Sequence, residues 1–192
     1  FPVALRYRPR DPRAQLEDEV AAAARKALAE EEGSALVFLP GVREIERTAE
    51  RLRASLSDAR VDVRPLYGAM APTDQDAAIA PAPAGRRKVV LATSIAETSL
   101  TIEGVRIVVD AGLSRRPTFE PSLGLSRLET VRASQAAITQ RAGRAGRLEP
   151  GVCVRLWSEG ETRALPAFDR PEILDTDLPS LALDLAAWGA HD

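Results

Sequence analysis

Ala35-Leu36-Val37-Phe38-Leu39-Pro40-Gly41, followed by Val42, Ile45, Ala49, Leu52 and Leu56 at helical spacing, sets the fold class. An unbroken apolar run closed by Pro-Gly reads as a short strand buried on both faces. The apolar positions after it recur every three to four residues, with Glu44, Arg47, Arg51 and Arg53 between them. That is the pattern of an amphipathic helix with one face against a core. A buried strand that feeds a helix is the repeating unit of a parallel sheet, because parallel neighbours need a crossover.

Outward from this unit the rhythm repeats. Leu16, Val20, Ala24 and Leu28 predict an earlier helix, ended by Gly33 and Ser34, and strands are expected at Val61–Leu66, Val89–Ala92, Val105–Val109 and Val152–Leu156. The expected fold is α/β, a mainly parallel sheet flanked by helices on both faces. Ligands of such sheets gather outside the carboxyl ends of the strands, which points to the loops after Leu39, Ala92 and Val109. Two segments break the rhythm. Residues 114–132, with Pro121-Ser122-Leu123-Gly124 in the middle, read as a β-hairpin. Leu178, Leu181, Leu185 and Trp188 give a helix face ending at Gly189. The expected division is residues 1–170 as the sheet domain and 171–192 as a helix leading to a following domain.

Composition narrows the function. A formal charge of -2 and a pI of about 5.6 leave no general basic footprint, so any nucleic-acid contact must be local. The single cysteine, Cys153, excludes an internal disulfide, and the single histidine, His191, leaves nothing for a histidine metal site or a Ser-His-Asp arrangement. No apolar run approaches a membrane span, and the given sequence shows no signal-peptide pattern of charged, apolar and small-residue regions. A soluble, cytoplasmic chain without membrane partners is expected. Because it begins at Phe1 and its one methionine is Met70, it reads as a piece of a longer protein.

The chemistry concentrates in two stretches. In Gln140-Arg141-Ala142-Gly143-Arg144-Ala145-Gly146-Arg147, a helix would put Gln140, Arg144 and Arg147 on one face. Guanidinium forks match phosphate oxygens, so this face is a candidate polyphosphate clamp, against the plainer reading of a solvated arginine-rich helix. Two glycines in a helix cost about 1 kcal/mol each, which close approach by another surface would explain. The second stretch, Thr93-Ser94-Ile95-Ala96-Glu97-Thr98-Ser99-Leu100-Thr101-Ile102, follows a strand and offers small hydroxyls to phosphate and sugar oxygens. No G-x-x-x-x-G-K-[ST] loop surrounds Lys26 or Lys88, and no strand ends in an Asp-Glu pair suited to Mg²⁺. Half an ATPase is present.

At this point the residues resemble a known pattern, the second RecA-like lobe of superfamily 2 helicases of the DEAH-box group. Leu36 to Gly41 is similar to motif IV, Leu66-Tyr67-Gly68-Ala69-Met70 with Gln75 to the segment after it, Thr93 to Ile102 to motif V, and Gln140 to Arg147 to motif VI. The Gly85 to Thr93 and Arg147 to Gly151 segments are similar to the bacterial HrpB-type subgroup. The resemblance implies a RecA-like lobe of an ATP-dependent RNA helicase. Its ATP and Mg²⁺ would be held mainly by a first lobe outside this chain, so the chain alone should not hydrolyse ATP.

By the same resemblance, Gln140, Arg144 and Arg147 would approach the γ-phosphate, with the two arginines as fingers. Ser99 would sense that phosphate, while Thr101 and Glu103 would sit near the sugar; Glu103 stands where many relatives have aspartate. Thr93, Ser94, Pro40 and Gly41 would hold the backbone of single-stranded RNA, and nothing local distinguishes RNA from DNA. The hairpin resembles the family's strand-separating hairpin, with an ordinary edge hairpin as the alternative. Ile79-Ala80-Pro81-Ala82-Pro83 lacks the aromatic residue that eukaryotic splicing members stack on adenine. Arg141, off the shared face, is expected to be structural. Partners would be the first lobe and the C-terminal domains of the same protein. A non-catalytic, helicase-like binding module is the competing expectation.

Overall fold

The computed structural model describes residues 1–97, 102–120, 125–171 and 185–189. Six strands form one parallel sheet: β1 (Val3–Tyr7), β2 (Ser34–Phe38), β3 (Val61–Leu66), β4 (Arg87–Ala92), β5 (Val105–Asp110) and β8 (Gly151–Arg155). Their order across the sheet is β1-β8-β5-β2-β4-β3. The helices are α1 (Leu16–Glu30), α2 (Val42–Ser55), α3 (Pro72–Ile79), α4 (Gln135–Gly143) and α5 (Glu159–Arg163). β6 (Leu113–Glu120) and β7 (Leu125–Arg132) pair antiparallel as a separate hairpin, with Pro117 opposite Leu128.

The opening stretch explains why the sheet is covered twice. All of β2 is buried, and alternate side chains point to opposite faces. Ala35, Val37 and Leu39 join Val20, Ala24 and Leu28 of α1 and Ile45, Ala49 and Leu52 of α2 in one cluster. Leu36 and Phe38 join Ala78 of α3 and Ala142 and Ala145 on the other side. Each large aliphatic chain buried this way contributes about 1.5–3 kcal/mol.

The expected α/β fold is therefore present, with the expected strands displaced by one or two residues. Three elements were not expected. β1 is an edge strand whose centre is exposed, so it carries no continuous apolar run. α3 buries only Ala78 among its residues and gives no periodic signal, although Pro72 suits its first turn. α5 is a single turn held by a capping box between Ser158 and Glu161. In that box the Ser158 backbone N–H and hydroxyl hold the Glu161 carboxyl down at about 2. The hairpin's turn at 121–124 and most of the expected C-terminal helix, Leu178 and Leu181 included, lie outside the described residues. Leu185 and Trp188 are exposed. Among the described residues no helix is long and apolar enough to cross a membrane, and no His, Cys, Asp and Glu group could hold a metal ion.

Cys153, at the centre of β8, has no exposed surface, and burial pushes its thiol up to about 12. Burial disfavours the thiolate, which is the reactive form. The native chain should stay unlabelled by a thiol reagent at pH 8 and label fully in denaturant; rapid native labelling would contradict this packing.

Candidate nucleic-acid and nucleotide interface

Parallel pairing brings the loops after β2 and β4 together. Phe38 lies opposite Ala92, and the Leu39 N–H donates to the Ala92 carbonyl at 2.9 Å. Pro40 and Gly41 therefore stand beside Thr93 and Ser94. Tyr67, Gly68 and Ala69, after β3, complete a cleft of about 260 Å³. Gln75 of α3 fixes that last loop, its amide donating to the carbonyls of Met70 at 3.0 Å and Gly68 at 3.3 Å. The Tyr67 hydroxyl donates to Glu46 at 3.0 Å, which tethers the ring to α2. All four residues expected to grip a strand line this one cleft at the carboxyl rim. Thr93 is half-buried, Ser94 is exposed, and Pro40 and Gly41 are covered.

A larger cleft of about 520 Å³ adjoins it, sharing Ser94, Ser114 and Arg115. Glu97, Arg116 and Arg132 lie on its walls.

Glu103 is elsewhere. Successive parallel strands require the chain to return from the carboxyl end of β4 to the amino end of β5. Glu103 accordingly lies at the opposite rim, in a cleft with Gly33, Ser34, Arg86 and Arg87, and the next residue, Gly104, accepts from the Ser34 N–H at 2.8 Å. The start of the Thr93–Ile102 stretch thus stands at the carboxyl rim, and Glu103, which follows it, stands at the other. Ser99 and Thr101 fall outside the described residues.

The arginine helix makes the same traverse. α4 starts near the carboxyl rim, where the Ser134 hydroxyl accepts from the Ala137 N–H at 3.1 Å. It ends at Gly143 and tightens into a 3₁₀ turn over Arg144–Gly146, beside the start of β8. A 3₁₀ turn has three residues per turn instead of 3.6, so the expected single α-helical face is broken after Gly143. Gln140, Gly143 and Arg147 are exposed, whereas Arg144 is 5 % exposed and donates to the Glu97 carbonyl. Burial, with the Arg147 charge behind it, lowers the pKa of Arg144. The two glycines differ as well. A Cβ on Gly146 would sit 2.5 Å from the Phe1 carbonyl, so close approach does explain that one. Nothing in the described structure comes within 4 Å of a Cβ on Gly143.

Arg141 ties these parts together. It is 1 % exposed, and its Nε donates to Glu97 at 2.8 Å, its Nη1 to Asp110 at 2.9 Å and to the Leu113 carbonyl at 3.1 Å, and its Nη2 to the Ser114 hydroxyl at 2.6 Å. Phe38 packs under the guanidinium, its centroid 5.2 Å away. One fork thereby joins α4, the segment after β4, the end of β5 and the base of the hairpin. Burial pushes the Glu97 carboxyl up, and Arg141 opposes that. Asp110, fully buried, also accepts from the Gly112 N–H at 2.8 Å. Gly112 has a φ of +69°, and a Cβ there would lie 2.7 Å from the Trp157 ring, so glycine is required on both counts. The sequence did carry a signal for this hub: an aspartate closing the apolar Val105–Val109 run needs a buried partner.

Removing Arg141 would strand the fully buried carboxylate of Asp110 and the largely covered one of Glu97. Arg141→Ala should destabilise the chain in urea by about 3–5 kcal/mol, whereas exposed Arg25→Ala should stay within about 0.5 kcal/mol. A loss for Arg141→Ala as small as that of Arg25→Ala would refute the hub.

Known proteins are similar to this chain in sequence and fold. A family model described as the helicase conserved C-terminal domain matches residues 16–149. The chain is 52 % identical over its full length to the ATP-dependent RNA helicase HrpB of Escherichia coli, of which it spans 24 %. It is 43 % identical over 85 % of its length to the probable ATP-dependent RNA helicase DHX34 of Homo sapiens, spanning 14 % of that protein. A crystal structure of the E. coli DEAH/RHA helicase HrpB superposes over the whole chain with a TM-score of 0.95 at 51 % identity, and the chain covers 24 % of it. With fold, motif order and relatives in agreement, the chain belongs to the helicase conserved C-terminal domain family and has its RecA-like fold.

Proposed function

We propose that this chain is the C-terminal motor lobe of a cytoplasmic ATP-dependent RNA helicase. It would offer Gln140, Arg144 and Arg147 to an ATP site completed by the first lobe, and grip single-stranded RNA through Thr93, Ser94, Pro40 and Gly41. The observation that carries the reading is that α4, which runs from one rim of the sheet to the other, is bonded through Arg141 to Glu97, in the segment that begins at the strand cleft. One end of that assembly carries the strand cleft, and the other carries exposed Arg147 and Glu103.

ATP bound to the first lobe supplies the γ-phosphoryl group that is hydrolysed. Arg144 and Arg147 carry only donors, able to bond phosphate oxygens and unable to ligate Mg²⁺, and Gln140 adds a neutral amide; no carboxylate stands in the set, so the metal falls to the other lobe. Arg147 and Gln140 already face outward, beside Gly143, where the missing Cβ lets a second surface reach the backbone. Arg144 reaches the phosphate by leaving the Glu97 carbonyl, which couples nucleotide contact to the segment that begins at Thr93. Relatives named as helicases favour this over a non-catalytic binding module.

In the full-length protein, Arg144→Ala should lower RNA-stimulated ATP turnover by about 10³- to 10⁵-fold, about 4–7 kcal/mol of barrier, with the melting temperature as a folding control. Near-normal turnover would remove Arg144 from the site. The isolated lobe should not hydrolyse ATP, and robust hydrolysis by it would overturn the reading.

A further inference from the structure

One side chain in the strand cleft is already engaged by an internal anion. Arg115, two residues into β6, reaches from the hairpin to the first turn of α2, where its Nη2 lies 3.4 Å from both carboxylate oxygens of Glu44. Gly41 is the floor of this contact. A Cβ there would stand 2.8 Å from the Arg115 Cζ and 2.9 Å from a Glu44 oxygen, so any other residue would push the pair apart. Arg115 lines both clefts, beside Ser94 and Ser114, and its side chain is 36 % exposed while that of Glu44 is 11 % exposed.

The contact is built to be exchanged. At 3.4 Å it is longer than the usual 2.7–2.9 Å of a charge-assisted bond. Losing Arg115 would not strand Glu44, which sits in the first turn of α2, where the helix dipole favours an anion, with the Arg43 Nε 3.6 Å away. A backbone phosphate in the cleft carries the same single charge as Glu44, and its oxygens, not held at 3.4 Å by a helix, can close to the usual charge-assisted distance.

We propose that Arg115 is a phosphate ligand for the bound strand and that Glu44 occupies its place when the cleft is empty. The inference rests on the strand-gripping role proposed for this cleft and adds two residues and a sign: Glu44 opposes binding. Arg115 leaves Glu44 when a backbone phosphate arrives beside Ser94, while the base of the hairpin stays fixed by Arg141.

The test uses the full-length protein, a fluorescent single-stranded RNA and a salt titration. Arg115→Ala should weaken binding about tenfold and flatten the salt dependence by about 0.7, the slope of one phosphate contact on a single strand. Glu44→Gln should tighten binding several-fold. In the Arg115→Ala background, Glu44→Gln should have no effect, which separates release of Arg115 from any gain through Arg43. A Glu44→Gln protein that binds more weakly, or unchanged, would overturn the exchange and leave the pair a structural brace. Wild-type protein that fails to bind the RNA would instead remove the strand-gripping reading, and the exchange with it.

Discussion

The buried fork of Arg141 is the constraint on which the rest of the site depends. A guanidinium with almost no exposed surface is tolerable only where its donors are taken and its charge is matched. Here Glu97 and Asp110 match it, and Phe38 shields it from below. Because its polar partners come from three segments besides its own helix, the cost of burying them is met only when all are in place. Removing Arg141 or either carboxylate leaves unmatched charge in the interior, so the arrangement behaves as a unit.

That unit explains the placement of residues around it. The segment after β4 and the helix α4 lie on the same sheet face, and the Glu97 carbonyl and carboxylate touch Arg144 and Arg141 respectively. Gly112 and Asp110 form the corner from which the hairpin departs, and Leu113 and Ser114 at its base bond the same guanidinium. The hairpin is thus anchored to the body of the lobe through the residue that also anchors the arginine helix.

Much of this was legible in the sequence because burial leaves a pattern. The run around β2, buried on both faces, reads as an apolar block, and α2 reads as an amphipathic stripe. β1 and α3 were not legible, since an edge strand and a helix burying one alanine leave no periodic trace. Motif order located Pro40, Gly41, Thr93 and Ser94, and parallel pairing then brought them together. Side-chain direction was the harder matter. Helix spacing placed Arg144 beside Gln140 and Arg147, but the glycines allow a tighter turn that tucks it under the Glu97 carbonyl. Arg115 stayed hidden because its partner Glu44 is far away in sequence and the two meet over a glycine.

The traverse of α4 from one rim to the other has a mechanical consequence. A five-residue strand such as β8 rises about 17 Å, so the grip and the arginine turn stand at opposite ends of a stiff plate. Such a plate transmits tilt without deforming: a rotation of about 10° at one end displaces the other by about 3 Å over that span. In the proposed motor, work delivered at the arginine end would therefore arrive at the cleft as movement of a rigid lever, with the hydrophobic sheet as its beam.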